Sequence, residues 1–131
     1  MRLLLDTHIW LWSLLAPEHL SLRVRRALRN RVNELWISPV SVWELTVLSA
    51  KGRVALNKDL TEWVPKTISA MPVREAPLTH EIALETAKLS LPHHDPADRL
   101  LGATARVLGL TLVTADKRLV EANQFPVLAN R

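Results

Sequence analysis

The sequence contains no cysteine. That excludes a disulfide scaffold, a thiol nucleophile and a thiolate zinc site, and it suits a reducing cytoplasm. Also missing is any apolar run of the ~20 residues needed to cross a bilayer. The nearest approach is the N-terminus, where Arg2 precedes Leu3, Leu4 and Leu5, but Asp6 breaks the run and His8 follows closely. The next stretch, Ile9 to Ala16, is short and amphipathic and ends at Pro17 without an export-type cleavage pattern. A soluble cytoplasmic protein with no membrane partner is therefore expected. Repeats, low-complexity tracts, linkers and a second composition regime are absent too, so residues 1–131 read as a single domain.

What is present suffices for a core. The chain is 48% hydrophobic and 23% charged, which is not the balance of a disordered chain. At this size roughly two-thirds of the unfolded surface leaves water on folding. Basic residues outnumber acidic ones 17 to 13, giving a formal net charge of +4. Arg23, Arg25, Arg26, Arg29 and Arg31 lie within nine positions. Positive surfaces attract polyanions through counterion release, and nucleic acid is the commonest such partner. Taken alone, this cluster reads more simply as a solvated helix face.

Short β-like runs alternate with helical stretches, which predicts an α/β fold around a mainly parallel sheet. Leu3-Leu4-Leu5 is apolar at consecutive positions, as in a central strand covered on both faces. Leu35-Trp36-Ile37 and Leu110 to Val113 follow the same rule, with Val73 to Ala76 and Pro126 to Leu128 as weaker strands. Helices are predicted over Ser41–Ala50, closed by Gly52, over Thr79–Leu91, stopped by Pro92, and from Pro96 to Gly109. Leu20, Val24, Ala27 and Leu28 give an earlier helix an apolar stripe opposite its arginines. The loop from Gly52 to Asp59 carries the least structural signal.

The acids fall at telling places. Asp6 follows the first strand directly, and Asp116 lies just past the Leu110–Thr114 run. Glu44 and Asp98 are each placed in the first turn of a predicted helix. Open parallel sheets bind ligands beyond the carboxyl ends of their strands, so Asp6, Glu44, Asp98 and Asp116 can converge there. Neighbouring carboxylates repel, and in a low-dielectric cleft some would take up protons. A hard divalent ion, Mg²⁺ or Mn²⁺, relieves the repulsion because it prefers carboxylate oxygen and water. Such an ion suits phosphodiester hydrolysis.

Each acid also has a purely structural explanation. Ser41-Val42-Trp43-Glu44 has the form of a capping box, and Asp95-Pro96-Ala97-Asp98 that of a capped helix start. Asp6 and Asp116 could cap the helices that follow. Capping accounts for helix starts one at a time, but not for acids at two strand ends of one sheet edge. The two roles are compatible, since a capping carboxylate keeps an oxygen for a metal.

The residues carry a resemblance. Leu4-Leu5-Asp6-Thr7-His8 and Ile37 to Leu45 resemble the opening of PIN-domain proteins, His94 to Ala105 their third motif, and Leu112-Val113-Thr114-Ala115-Asp116 their fourth. The order runs through the whole chain, and the compact length is similar to VapC-type toxins of toxin–antitoxin pairs. The resemblance implies a three-layer α/β/α sandwich and a Mg²⁺- or Mn²⁺-dependent endoribonuclease with an RNA substrate. It further implies a protein antitoxin that blocks the site, and a homodimer. Asp6, Asp98 and Asp116 would hold the metal, and Glu44 would complete the cluster through a water on the ion. Thr7 and Thr114 match small hydroxyl residues beside the cluster, while Asp95 would either touch metal or cap its helix.

Other residues are weighed against plainer roles. His8, His80, His93 and His94 could be ligands or bases, although an all-carboxylate site needs no imidazole. Trp10, Trp12, Trp36 and Trp43 suit core or interface better than base stacking, and Trp63, beside Pro65 on a candidate helix, could pack a partner. Lys51 and Arg53 could contact phosphate or suit a helix C-terminus. Two rival functions remain at this level. A receiver-like signalling domain would need paired acids after the first strand, where Asp6 stands alone. A catalytically silent binding module would use the arginine cluster and survive loss of the acids.

Overall fold

The structure is a computed structural model that describes residues 1–56, 59–92 and 95–131. Strands β1 (Arg2–Leu5), β2 (Glu34–Ile37), β3 (Val73–Glu75), β4 (Thr111–Thr114) and β5 (Val127–Ala129) pair in parallel in the order β3-β2-β1-β4-β5. The helices among the described residues are α1 (Thr7–Leu15), α2 (Leu22–Arg29), α3 (Pro39–Ala50), α4 (Leu60–Ala70), α5 (His80–Glu85), α6 (Pro96–Leu108) and α7 (Lys117–Glu121). None of them is long and apolar enough to cross a membrane.

The consecutive leucines of β1 explain its central place. Side chains alternate across a strand, so Leu4 enters one core with Leu101, Leu112 and Leu119, while Leu3 and Leu5 enter the other with Ile9, Trp10, Leu45 and Val113. All three leucines are fully buried, and each such burial contributes about 1.5–3 kcal/mol. The sheet is thus a middle layer between two helical layers, the predicted α/β/α sandwich.

The topology also creates the crevice. From β1 the chain winds outward through β2 and β3, then crosses back to β4 on the other side of β1. The switch point lies between β1 and β4, where parallel sheets leave room for ligands. The register pairs Leu5 with Val113, and the Asp6 N–H donates to the Val113 carbonyl at 3.0 Å. Asp6 and Thr114 therefore emerge side by side at the strand ends.

Two predicted helices differ from the observed ones. Helix α3 starts at Pro39, with the Ser38 hydroxyl accepting from the Val40 N–H at 3.0 Å. Pro39 has its φ preset for the first helical position and no N–H to leave unpaired, so Ser38 is the cap and Ser41 lies inside. The helix predicted to run from Thr79 to Leu91 is α only to Glu85, then a 3-10 turn over Thr86–Lys88. The Arg99 guanidinium reaches across from α6 to the Leu89 carbonyl at 3.1 Å and the Thr86 carbonyl at 3.4 Å. Those bonds satisfy the carbonyls where the helix unwinds and let Leu89 and Leu91 turn into the core. Elsewhere the punctuation reads as expected: Gly109 ends α6 in the left-handed conformation at φ 65°. Asn57 and Lys58, in the weakly patterned Gly52–Asp59 loop, lie outside the described residues.

Candidate active site

A cavity of about 500 Å³ opens at the switch point, and Asp6, Glu44, Asp95, Asp98 and Asp116 all line it. The structure thus brings the four acids singled out in the sequence to one place and adds Asp95. Each arrives by a local rule. Asp6 caps α1, its Oδ1 accepting from the Thr7 N–H at 2.7 Å. Asp116 caps α7, its Oδ1 accepting from the Arg118 N–H at 2.9 Å. Asp95 is exposed and caps α6, accepting from the Ala97 N–H at 2.9 Å, and Asp98 follows in the first turn, 8% exposed.

Glu44 corrects the capping-box reading. Because α3 starts at Pro39, Glu44 is its sixth residue and too far along to reach back to the cap. Its Oε1 accepts instead from the Thr7 hydroxyl. That hydroxyl is also 2.9 Å from the Ser41 Oγ. A hydroxyl has one proton, so Thr7 donates to Glu44 and Ser41 donates to Thr7. On the other side, the Thr114 hydroxyl donates to Asp6 Oδ2 at 2.6 Å and accepts from the Asp116 N–H at 3.1 Å. Thr7, Ser41 and Thr114 are buried, and these three hydroxyls set the carboxylates above them.

The electrostatics follow from burial and crowding. Burial pushes the Asp6 carboxyl above its ordinary value; the hydrogen bonds from Thr114 and Thr7 and the charge of His8 pull the other way, and Asp116 adds to the rise. Burial likewise raises Glu44, opposed by the Thr7 hydroxyl and reinforced by the charges of Asp6, Asp95 and Asp98. An all-oxygen donor set of this kind fits a hard divalent ion. As the side chains stand, no three acidic or imidazole groups among the described residues form a set able to hold one. Asp6 and Glu44 accept from hydroxyls and Asp116 from a guanidinium, and each carboxylate keeps lone pairs beyond those contacts.

That ion pair involves Arg118, a residue the sequence reading passed over. Its Nη2 lies 3.1 Å from Asp116 Oδ2 and its Nε donates to Oδ1 at 3.3 Å. The only signal in the sequence was its position two residues after Asp116. His8 and Trp12 also line the cavity, with their ring centroids 5.7 Å apart.

The remaining singled-out residues lie elsewhere. Trp10 is fully buried and packs against Trp63, which therefore serves the core. Trp36 has the guanidiniums of Arg2 and Arg74 at 5.2 and 5.7 Å from its ring centroid, and Trp43 is exposed beside a separate apolar cavity. Lys51 and Arg53 follow the far end of α3, about 10 Å of helix beyond Glu44. His80 is exposed at the start of α5, and His93 and His94 lie outside the described residues. Arg23, Arg26, Arg29 and Arg31 are exposed around α2 with Val24 buried, as the amphipathic pattern predicts, whereas Arg25 is half-buried.

Comparison with known proteins places the chain in a family. The PIN domain model matches residues 3–124. Ribonuclease VapC22 from Mycobacterium tuberculosis is 36% identical over 118 residues, 88% of each chain. Among solved structures, a chain of VapBC2 from Rickettsia felis, bound to a DNA fragment from their promoter, matches with TM-score 0.71 and 16% identity over 98% of both chains. A chain of DNA-bound VapBC from Salmonella typhimurium gives TM-score 0.69 and 21% identity, covering 100% of this chain and 99% of that one. The solved structures share the fold, the motif order and the 36% relative add the lineage, and this chain belongs to the PIN domain family.

Proposed function

We propose that this chain is a ribonuclease, the toxin of a toxin–antitoxin pair, that hydrolyses internal RNA phosphodiester bonds with Mg²⁺ or Mn²⁺ at the acidic cavity. The observation that carries this reading is the gathering of five carboxylates around one cavity at the switch point between β1 and β4. The family and the ribonuclease relative support the activity, and the VapBC assemblies support a protein antitoxin as partner. A homodimer in the cytoplasm belongs to the same reading.

Asp6, Asp98 and Asp116 are the residues that would hold the ion. When bound, a divalent ion lowers the pKa of water and polarises phosphoryl oxygens. The protein's own part is orientation. Thr114 and the Thr7 N–H fix both oxygens of Asp6, and Thr7 with Ser41 fixes Glu44. Glu44, held by the Thr7 hydroxyl, would complete the acidic cluster through a water on the ion.

The test is cleavage of a structured RNA by purified protein in Mg²⁺ against EDTA. Chelation should abolish cleavage. Asp6→Asn and Asp98→Asn should each lower it more than about 100-fold with the fold intact, since even indirect perturbation of metal ligands costs 10–100-fold. Full activity in either purified variant would refute the assignment.

A further inference from the structure

We infer that Arg118 is a substrate-binding residue that changes partners: it grips Asp116 in the metal-free protein and turns to a phosphate of the RNA once a divalent ion takes Asp116. This rests on the nuclease reading given above. The first ground is geometric. One guanidinium fork holds both oxygens of Asp116, Nε to Oδ1 at 3.3 Å and Nη2 to Oδ2 at 3.1 Å. An ion bound to Asp116 needs one of those oxygens, and its charge repels the guanidinium. Fork and ion therefore compete for the same carboxylate.

The second ground is where the released fork can go. Its side chain is 55% exposed, so swinging away disrupts little packing. Arg118 lines not only the acidic cavity but also an adjacent one of about 500 Å³ that includes Ser90, Pro92 and Glu121. It stands between two concavities that a nucleic-acid strand could follow.

The third ground is need. A phosphodiester entering a cavity lined by five carboxylates meets repulsion, and among the described residues the basic ones lining that cavity are Arg118 and His8. A guanidinium matches two non-bridging phosphate oxygens in a planar, bidentate way. The plainer alternative is a surface ion pair at the start of α7 with no role in binding, as many such pairs have little effect.

Arg118→Ala and Arg118→Lys separate the two in the full chain. Mn²⁺ binding to RNA-free protein is measured by calorimetry. Binding of a fluorescein-labelled oligoribonucleotide is measured by anisotropy with Ca²⁺ in place of Mg²⁺, and folding by circular dichroism. Arg118→Ala should bind Mn²⁺ several-fold more tightly, because its competitor is gone. It should bind RNA about tenfold or more weakly, the loss expected of one charge-assisted pair. Arg118→Lys keeps a charge without the fork, so its Mn²⁺ and RNA affinities should both fall between those of wild type and Arg118→Ala. If Arg118→Ala leaves either Mn²⁺ or RNA affinity unchanged, or if Arg118→Lys matches Arg118→Ala in both, the exchange of partners is overturned while the nuclease reading stands. If the wild type binds no Mn²⁺, the nuclease reading fails and this inference with it.

Discussion

Thr114 ties two acids together through one oxygen. Its hydroxyl donates to Asp6 Oδ2 and accepts from the Asp116 N–H, and it is fully buried. Thr114→Val keeps the side chain's shape but leaves that N–H and a carboxylate oxygen without their partner. Stability should fall by about 1–3 kcal/mol, the cost of an unsatisfied buried group, as read from urea unfolding. Mn²⁺ affinity should fall about 10–100-fold, as when a metal ligand loses its support. An unchanged affinity in the folded variant would mean that Asp6 does not depend on Thr114 for its orientation. The sequence places Thr7 and Thr114 beside the acids through the family motifs. It does not reveal which acid each hydroxyl serves, because Thr7 reaches Glu44 across 37 positions and Thr114 reaches Asp6 across 108. Arg118 escaped notice for a related reason: a basic residue after an acid is common, and only the cavity wall makes it informative.

Elements were legible where local chemistry decides and obscure where tertiary contacts do. The leucines of β1 and the Pro96 and Gly109 bounds of α6 could be read directly, since an unbroken apolar run and fixed backbone angles leave few alternatives. The start of α3 was misplaced because Ser38 and Ser41 are both good caps. Pro39 decides for Ser38, and the Ser41 hydroxyl is drawn to Thr7 instead. The early end of α5 depends on Arg99, which arrives from another element. Helix α6 also shows how packing reaches the site. A Cβ on Gly102 would lie 2.5 Å from Cε1 of the buried Phe125, too close for any side chain to stay unmoved. Asp98 sits one turn before Gly102 on the same helix. Alanine gains about 1 kcal/mol of intrinsic helix preference over glycine, but overpacking a dense core costs typically 1–3 kcal/mol. Gly102→Ala should therefore be neutral to destabilising by up to about 2 kcal/mol in urea unfolding. It should lower RNA cleavage as well, because a shift of α6 away from Phe125 to admit the methyl group would carry Asp98 with it. A clear gain in stability with unchanged cleavage would show that Phe125 yields freely.

Over the whole molecule, the sequence predicts a parallel α/β sheet but not its order, since strand adjacency is set by crossovers that leave no local mark. The β3-β2-β1-β4-β5 order is what puts Asp6 and Asp116 on either side of one crevice. That arrangement carries a thermodynamic cost with a definite pH dependence. Asp6 and Glu44 are both raised above their ordinary values of 3.8 and 4.5 by burial. For such groups the folded state binds more protons than the unfolded state in the interval between the two pKa values. Their contribution to stability is therefore full below the ordinary values and is lost as pH climbs through the raised ones. As pH climbs through the raised values the protein takes on this strained charge, and a divalent ion relieves it; below them, protons compete with the ion. Saturation at about 100 times Kd stabilises a fold by about 2.7 kcal/mol, roughly 10 °C in Tm for a domain of this size. Scanning calorimetry with Mn²⁺ and with EDTA should show a rise of that order at neutral pH that shrinks steadily as the acids take up protons. Asp6→Asn should melt higher than wild type in EDTA once the pH has passed the raised value of Asp6, because the buried charge is gone, yet gain far less from Mn²⁺. An equal Mn²⁺ effect across the acid and neutral range, or an Asp6→Asn variant less stable than wild type in EDTA, would mean that the crevice is not under electrostatic tension.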